Sequence, residues 1–175
     1  MTGGIPTIRT SLAGALLLLL MSACQGSDSS ADSTERTAAA YSVIIDDLLR
    51  RQPIEPAEGS ELPVVYIEAF ADEGISLEVQ VLVVANLAEQ LEIRFIDDVV
   101  EATDQDLDTH PVKSGSVLIG VGPVPEAPVE VQVEWYDDRD TVMAYRYALT
   151  PRGASSWIIA GERASTEPVG FVQSS

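Results

Sequence analysis

The residues of this sequence best suited to metal chemistry lie in one short acidic stretch, Asp104–His110, which reads DQDLDTH. Its three aspartates alternate as the first ligands of an EF-hand calcium loop do. Such a loop would next need a glycine where Thr109 stands and a bidentate glutamate where Gly115 stands, and neither is present. The stretch therefore predicts an ordinary solvated acidic loop, and we expect no metal site and no cofactor.

Side chains suited to catalysis are sparse. His110 is the only histidine, so a zinc site with two histidine ligands is excluded. A Ser-His-Asp triad stays formally open through Ser114 or Ser116, but the Gly-x-Ser-x-Gly turn of many serine hydrolases is missing. Adjacent carboxylates point to opposite faces of a strand, or diverge by about 100° on a helix. No catalytic residue is predicted, although the fold could bring distant carboxylates together. The adjacent pairs are Asp46 and Asp47, Asp97 and Asp98, and Asp137 and Asp138.

A different chemistry is indicated at Cys24, the only cysteine. It follows the basic residue Arg9, an apolar run at Leu12–Met21, and the small residues Ser22 and Ala23. This is the three-part layout of a secretory signal peptide. The apolar run is too short for a transmembrane helix, which needs about 20 residues. The pattern predicts an export signal with a cysteine at its cleavage point.

The sequence Met21–Cys24 (MSAC) resembles the lipobox of bacterial lipoproteins, with Met21 in place of the usual leucine. The resemblance covers residues 1–25. It implies removal of a signal peptide over 1–23 and attachment of acyl chains such as palmitate at Cys24. It also implies a membrane anchor on the extracytoplasmic side. Because Gln25 and not aspartate follows the cysteine, the implied location is the outer membrane of a diderm organism, or otherwise the outer face of the cytoplasmic membrane. The alternative is a buried or reactive free thiol.

The chain is strongly acidic, with 28 acidic and 10 basic residues and a net charge of −18. Such a charge repels nucleic acid, which we exclude as a partner. The acids are interspersed, which favours a solvated acidic shell over a dedicated cation site. Residues 24–40 are polar and without apolar period, and predict the lipidated Cys24 followed by a flexible linker. Residues 41–163 predict a single α+β domain of common size, and residues 164–175 predict a flexible tail.

The first half of the domain predicts a helix, a strand, a helix and a strand. Apolar residues at helical spacing predict a helix at Ala38–Arg51, and the buried-strand composition of Val64–Phe70 predicts a strand. The stretch Ile75–Leu91 alternates like a strand over 75–81, but its length favours a helix with Ser76 as N-cap. Glu92–Asp98 predicts the next strand. One helical stripe of that second helix contains Leu77, Val81, Val84, Ala88 and Leu91.

The strand-helix-strand order of Val64–Asp98 predicts a βαβ-like unit. It is similar to the opening unit of the periplasmic domains of curli-secretion lipoproteins and of TolB. This likeness covers about 35 residues, from Val64 to Asp98, and implies a role beside an export or assembly machine.

Four further strand-like runs predict an antiparallel meander, because turn residues separate them. The second run alternates between the two faces of the sheet. The predicted inner face comprises Val129, Val131, Val133 and Trp135, and the face predicted to lie in water comprises Glu130, Gln132 and Glu134. The aromatic residues of these runs are more typical of a core than of a ligand platform. The predicted fold class is thus α+β, with a βαβ-like unit followed by a four-stranded antiparallel meander and with helices packed on one face of the sheet. The runs are Ser116–Gly122, Val129–Tyr136, Thr141–Leu149 and Ser155–Gly161.

Three functional hypotheses follow from the sequence. The first is a membrane-anchored lipoprotein that serves as a non-enzymatic interaction or ligand-binding module of the bacterial cell envelope, with an envelope protein or polymer as partner. The second is a hydrolase of envelope glycan or lipid that uses carboxylates assembled by the fold. The third is an accessory subunit of an export or assembly machine.

Overall fold

The structure is a computed structural model that describes residues 28–70, 74–126, 129–153 and 155–165. The predicted signal peptide, Cys24 and residues 166–175 of the predicted tail lie outside these ranges. The described chain folds into two α-helices, one 3-10 helix and six strands. They are α1 (Asp28–Arg51), β1 (Val64–Ala69), α2 (Leu77–Leu87), β2 (Glu92–Ile96), the 3-10 helix Val99–Glu101, β3 (Ser116–Val121), β4 (Glu130–Asp138), β5 (Thr141–Pro151) and β6 (Trp157–Ser165).

The six strands form one mixed sheet in the order β2-β1-β3-β4-β5-β6. β1 runs parallel to both β2 and β3. β3 and β4, β4 and β5, and β5 and β6 pair antiparallel. Helix α2 connects β1 to β2, since parallel neighbours need a crossover. The predicted α+β class is confirmed, with two helices packed against a six-stranded mixed sheet.

Helix α1 begins earlier than the sequence pattern predicts. Residues 28–40, which the composition predicts as flexible linker, are helical. The indole Nε1 of Trp157 donates a hydrogen bond of 2.8 Å to the carbonyl oxygen of Arg36, and Ala38 and Ala40 are buried. Packing against the rest of the domain therefore stabilises turns whose own composition is polar. Of the five predicted inward positions, Leu49 is only partly buried. The other four are buried as expected, namely Tyr41, Ile44, Ile45 and Leu48.

Helix α2 settles the ambiguous stretch as a helix, and the predicted N-cap is confirmed. The Ser76 hydroxyl accepts a hydrogen bond of 3.4 Å from the backbone N–H of Val79. The buried face differs from the predicted stripe, because Leu77, Val81 and Val84 are exposed. Apolar residues occur on nearly every side of this helix, so a 3.6-residue period cannot select the buried side. The buried residues are Val79, Val83 and Leu87. In the described part of the chain, no helix combines the length and apolar character that crossing a bilayer requires.

The sheet buries apolar side chains on both faces. The main core lies between the sheet and the helices and includes Val65, Ile119, Val133 and Tyr147. The opposite face, predicted to lie in water, also carries a buried cluster. The reason is the connection from β2 to β3, which folds over it and places Ala102 in that cluster. The prediction of one wet face is therefore wrong for this part of the sheet. The second cluster comprises Tyr66, Ile96, Ala102, Leu118 and Tyr136.

Candidate functional site

Two glutamates that are distant in sequence lie in one row across the outward face of the sheet. In the strand register Glu68 of β1 is opposite Gly120 of β3, and Gly120 is opposite Glu134 of β4. On the other side of Glu68, the row continues with Ile96 of β2. The two acids therefore flank a single glycine. They are fold-assembled carboxylates of the kind that the sequence left open.

The environments of the two acids differ. Glu134, predicted to face water, is completely buried and accepts a hydrogen bond of 3.1 Å from the Gln132 side chain. Glu68 is half-buried, and its Oε2 atom is buried with no hydrogen-bond partner among the described residues. Burial, and then the negative charges of Asp98 and Glu134, raise the pKa of Glu68 from 4.5 to about 7. Glu68 can therefore exchange a proton near neutral pH.

Gly120 is required between these acids by close packing. A Cβ atom at this position would lie 1.8 Å from Cζ of Phe70. The Phe70 ring thus occupies the space that a side chain at position 120 would take, in the same row as Glu68 and Glu134. This ring helps to explain how an acid on the outward face of the sheet comes to be buried.

Two cavities lie at the carboxyl ends of the parallel strands. One of about 380 Å³ is lined by Glu68, Gln80 and Asp97 among others. The other, of about 280 Å³, is lined by Tyr41 and Ser76 among others. In open sheets of parallel strands, ligands bind outside this end, where the chain passes to either side of the central strand. In the second cavity two of the lining hydroxyls have structural partners, since Tyr41 donates to the carbonyl of Gly122 and Ser76 caps α2.

The two glutamates are poorly placed for glycan hydrolysis. A glycosidase needs two carboxyl groups that both reach the scissile bond. Glu134 is completely buried, and two strand spacings separate the Cα atoms of the pair by about 10 Å. Only Glu68 borders a cavity. The other acid that lines this cavity is Asp97, so Glu68 and Glu134 do not by themselves supply the two carboxyl groups that this reaction requires.

Helix α2 presents an apolar outward face. Leu77, Val81 and Val84 are 70 %, 58 % and 39 % exposed, and they recur at the spacing of one helical stripe. Ala85 and Ala88, which follow on the same side, are also exposed. Glu78 is the single charged residue of the helix. This set, Leu77, Val81, Val84, Ala85 and Ala88, is called the α2 stripe below.

The acidic loop does not assemble a metal site in the described residues, where no group of three or more His, Cys, Asp and Glu side chains could hold an ion. The Asp104 carboxylate accepts a hydrogen bond of 3.0 Å from the backbone N–H of Asp106, which shapes the turn. His110 is half-buried with a φ of 45°. Its Nδ1 atom lies 3.1 Å from the Arg139 guanidinium. Asp104 and His110 of the loop thus have structural partners.

The adjacent carboxylate pairs are divided among separate contacts. Asp46 and Asp47 form ion pairs with Arg50 and Arg51 respectively. Asp98 caps the 3-10 helix, whereas Asp97 lines the larger cavity. The Asp137 carboxylate accepts from the Trp135 indole at 2.9 Å, and that of Asp138 accepts from the backbone N–H of Asp140 at 2.9 Å.

Most aromatic residues of the last three strands lie in the two cores, as predicted. Trp135, Tyr147 and Trp157 belong to the main core, and Tyr136 belongs to the second cluster. Tyr145 is partly buried against the main core. These rings support packing and are not gathered into one exposed platform.

Glu68 carries one signal in the sequence, since an acid inside the apolar run VVYIEAF is unusual for a buried strand. Glu134 gave none, because it alternates with apolar neighbours as a solvent-facing residue does. Cys24, the predicted lipidation site, lies outside the described residues. Comparison with protein-family models, with curated proteins and with solved structures found no match.

Proposed function

We propose that this protein is a lipoprotein of the bacterial cell envelope that is anchored through Cys24 and acts as a non-enzymatic interaction module. The α2 stripe is its docking surface. The observation that carries the proposal is the exposure of Leu77, Val81 and Val84 on one side of a helix whose other side is already packed in the core. A helix that is apolar on nearly all sides is expected to be covered on all sides.

The partner is a protein with an apolar patch surrounded by lysine and arginine. Burying the α2 stripe against such a patch contributes about 25 cal/mol per Å² of apolar surface. The charged residues on and just after α2 are acidic, with Glu78 in its first turn and Glu89 just beyond its end. A basic rim would complement them and accelerate encounter.

A second copy of the chain is a less suitable occupant than a basic partner. Removal of residues 1–23 takes away Arg9 and no acid, which changes the net charge from −18 to −19. Two such copies would repel each other at low ionic strength. An anionic lipid surface is disfavoured for the same reason.

The docking surface can be tested in living cells by photocrosslinking. A benzophenone amino acid replaces Val81, and in a matched control it replaces Ile158, which is 47 % exposed on β6. We expect one discrete protein adduct from position 81 that is absent from position 158 and is lost when Leu77→Ser is added. The crosslinked surface of the partner should be apolar with a basic rim, and charge reversal in that rim should weaken binding.

Three results would contradict this docking proposal. They are an adduct of the chain with itself, an adduct with lipid only, and equal adducts from both positions. Sedimentation of the purified chain, with and without Leu77→Ser, detects self-association independently.

The anchor is tested separately. Cys24→Ser should release the exported protein from the membrane fraction, because acyl chains contribute about 0.8 kcal/mol per buried methylene and no other attachment is proposed. Detergent partitioning of the variant and of the unaltered chain measures the effect. Retention of the variant in the detergent phase would argue against lipidation at Cys24.

A second candidate function is hydrolysis of envelope glycan or lipid. It is favoured by one observation, the raised pKa of Glu68 beside a cavity of about 380 Å³. Incubation of the purified chain with peptidoglycan and with phospholipid tests it, with Glu68→Gln as the comparison. Turnover that Glu68→Gln abolishes in a folded variant would place this function ahead of the docking module.

A further inference from the structure

We infer that the protonation of Glu68 controls the turn that carries Asp98, and we call this arrangement the latch. When the Glu68 carboxyl is neutral, the turn closes on the outward face of the sheet. When Glu68 is ionised, its carboxylate loosens the turn. The latch concerns the folded domain alone and does not depend on the proposed partner or anchor. It rests on the position of Glu68 and on the groups that surround it.

The charged groups that act on the Glu68 carboxyl are acidic. Asp98, at the end of β2, and Glu134, on β4, both oppose its ionisation, and Asp97 lines the same cavity. From α2 the neutral side chain of Gln80 borders that cavity. From β3 the neighbour is Gly120, which has no side chain.

The nearest base on β2 is already committed to other partners. The Arg94 guanidinium donates two hydrogen bonds of 2.8 Å and 2.5 Å to Glu92, and one of 3.2 Å to the Tyr66 hydroxyl. The N–H donors of the guanidinium are therefore occupied by Glu92 and Tyr66. Arg94 is opposite Tyr66 in the register, one row away from Glu68. Ionised Glu68 would stand among negative charges without a compensating base in the described residues.

The turn at Asp98 is the part of the Glu68 surroundings that can move away from an ionised carboxylate. Asp98 is exposed, and its carboxylate accepts a hydrogen bond of 2.9 Å from the backbone N–H of Val100 to start the 3-10 helix. The rest of the segment is tied to the chain before β3 by the bridge between Thr103 and Val112. Two backbone hydrogen bonds of 2.8 Å and 3.0 Å, and one of 2.5 Å from the Lys113 ammonium to the Glu101 carbonyl, hold the two segments together there. Glu134, by contrast, belongs to a central strand and is fully buried. Repulsion by ionised Glu68 therefore acts first on the exposed Asp98 carboxylate and on the first turn of the 3-10 helix that it caps, because solvent-exposed backbone hydrogen bonds open at low free energy.

The sign of the effect follows from proton binding. The pKa of Glu68 is raised in the folded state to about 7 from an ordinary value of 4.5, so the folded chain holds this proton more tightly than the unfolded chain does. Glu68 therefore makes its full contribution to the free energy of unfolding below about pH 4.5, and this contribution falls as the pH rises to about 7. Above that range this stabilising contribution of Glu68 is lost completely. The latch is closed in mildly acidic medium and loosened in mildly alkaline medium.

Two measurements on the purified chain test the latch. Carbon-13 NMR of the glutamate carboxyls should show Glu68 titrating near pH 7, and Asp98→Asn should lower that midpoint because it removes one negative charge. Hydrogen exchange at residues 100–102, whose amides donate to Asp98 and Val99, should show a severalfold loss of protection between pH 6 and pH 8 after correction for the intrinsic rate. In Glu68→Gln the protection should stay constant across this range.

Glu89→Gln is the control, since it removes an exposed acid of the same type from a position after α2. It should leave both the Glu68 midpoint and the exchange profile unchanged. A Glu68 midpoint near 4.5 in the unaltered chain would overturn the latch, as would a folded Glu68→Gln variant that loses protection with pH as the unaltered chain does. If Glu68→Gln does not fold, the midpoint in the unaltered chain and its change in Asp98→Asn still decide the question.

Discussion

At the scale of single residues, Gly120 is a position where the outward face of the sheet has no space for a side chain. Gly120→Ala places a Cβ atom 1.8 Å from the Phe70 ring, so the ring must leave its site beside Glu68 and Glu134. We expect the free energy of unfolding to fall by about 1–3 kcal/mol, as is usual for overpacking. Urea unfolding at equilibrium measures it.

The matched control is Gly161→Ala in β6, where a Cβ atom would meet nothing within 4 Å. It should be neutral or slightly stabilising, because alanine restricts the unfolded chain and meets no clash. Equal unfolding midpoints for the two variants would mean that the Phe70 ring does not occupy the surface of Gly120.

The same face shows why individual site residues escaped prediction. Alternation correctly places Glu134 on the side of β4 opposite the main core, because side chains alternate along a strand. It cannot reveal what lies above that side. Phe70 and the segment that carries Ala102 come from distant parts of the sequence, and the pattern of β4 contains no trace of them. The side of a residue was predictable from local sequence, whereas its burial was not.

At the scale of elements, the N-terminal turns of α1 depend on β6. The Trp157 indole donates to the Arg36 carbonyl, and the Arg36 guanidinium lies 5.2 Å from the centre of the indole ring. Trp157→Phe keeps an aromatic ring but removes the donor, at a cost of about 1 kcal/mol. We expect hydrogen exchange to increase at residues 31–40 of α1 and to stay unchanged at residues 41–48.

Ile158→Ser is the control for this effect, because it alters the next residue of β6 at an exposed position. Increased exchange along the whole of α1 in Trp157→Phe would show that the helix opens as one unit. In that case Trp157 would stabilise the domain in general and not the start of the helix.

The two helices also show which element boundaries a sequence can predict. The end of α1 and the start of α2 have local signals, since Pro53 follows the first and Ser76 caps the second. The start of α1 has no such signal, because a contact across 121 positions with Trp157 stabilises it. The buried side of α2 was not predictable either, since the α2 stripe is as apolar as the side that packs in the core. A helix that is apolar on two sides is oriented by its neighbours.

At the scale of the whole molecule, the excess of acids determines how the chain responds to salt. The net charge is −18, and the ion pairs among the described residues involve only a few of the acids, such as Asp46, Asp47 and Glu162. The remaining repulsion acts over distances comparable with the Debye length, about 10 Å at 0.1 M salt. Screening should therefore stabilise the fold, with no need for a bound ion.

Because the acidic residues are spread over the chain, we expect calcium to bind only weakly. Micromolar affinity needs six to eight oxygens around one ion, and the described residues contain no group of three or more candidate ligands. Millimolar Ca²⁺ should raise the melting temperature no more than Mg²⁺ at the same concentration, and 0.15 M NaCl should remove most of either effect. The Asp106→Asn variant should respond as the unaltered chain does, because Asp106 is one acid among many. Differential scanning calorimetry in the two salts, with and without NaCl, makes the comparison.

One result would contradict this expectation, namely a calorimetric titration that finds one stoichiometric micromolar site that is lost in Asp106→Asn. It would show that the acidic loop binds calcium specifically. Docking at the α2 stripe would then have to be examined as a calcium-dependent event.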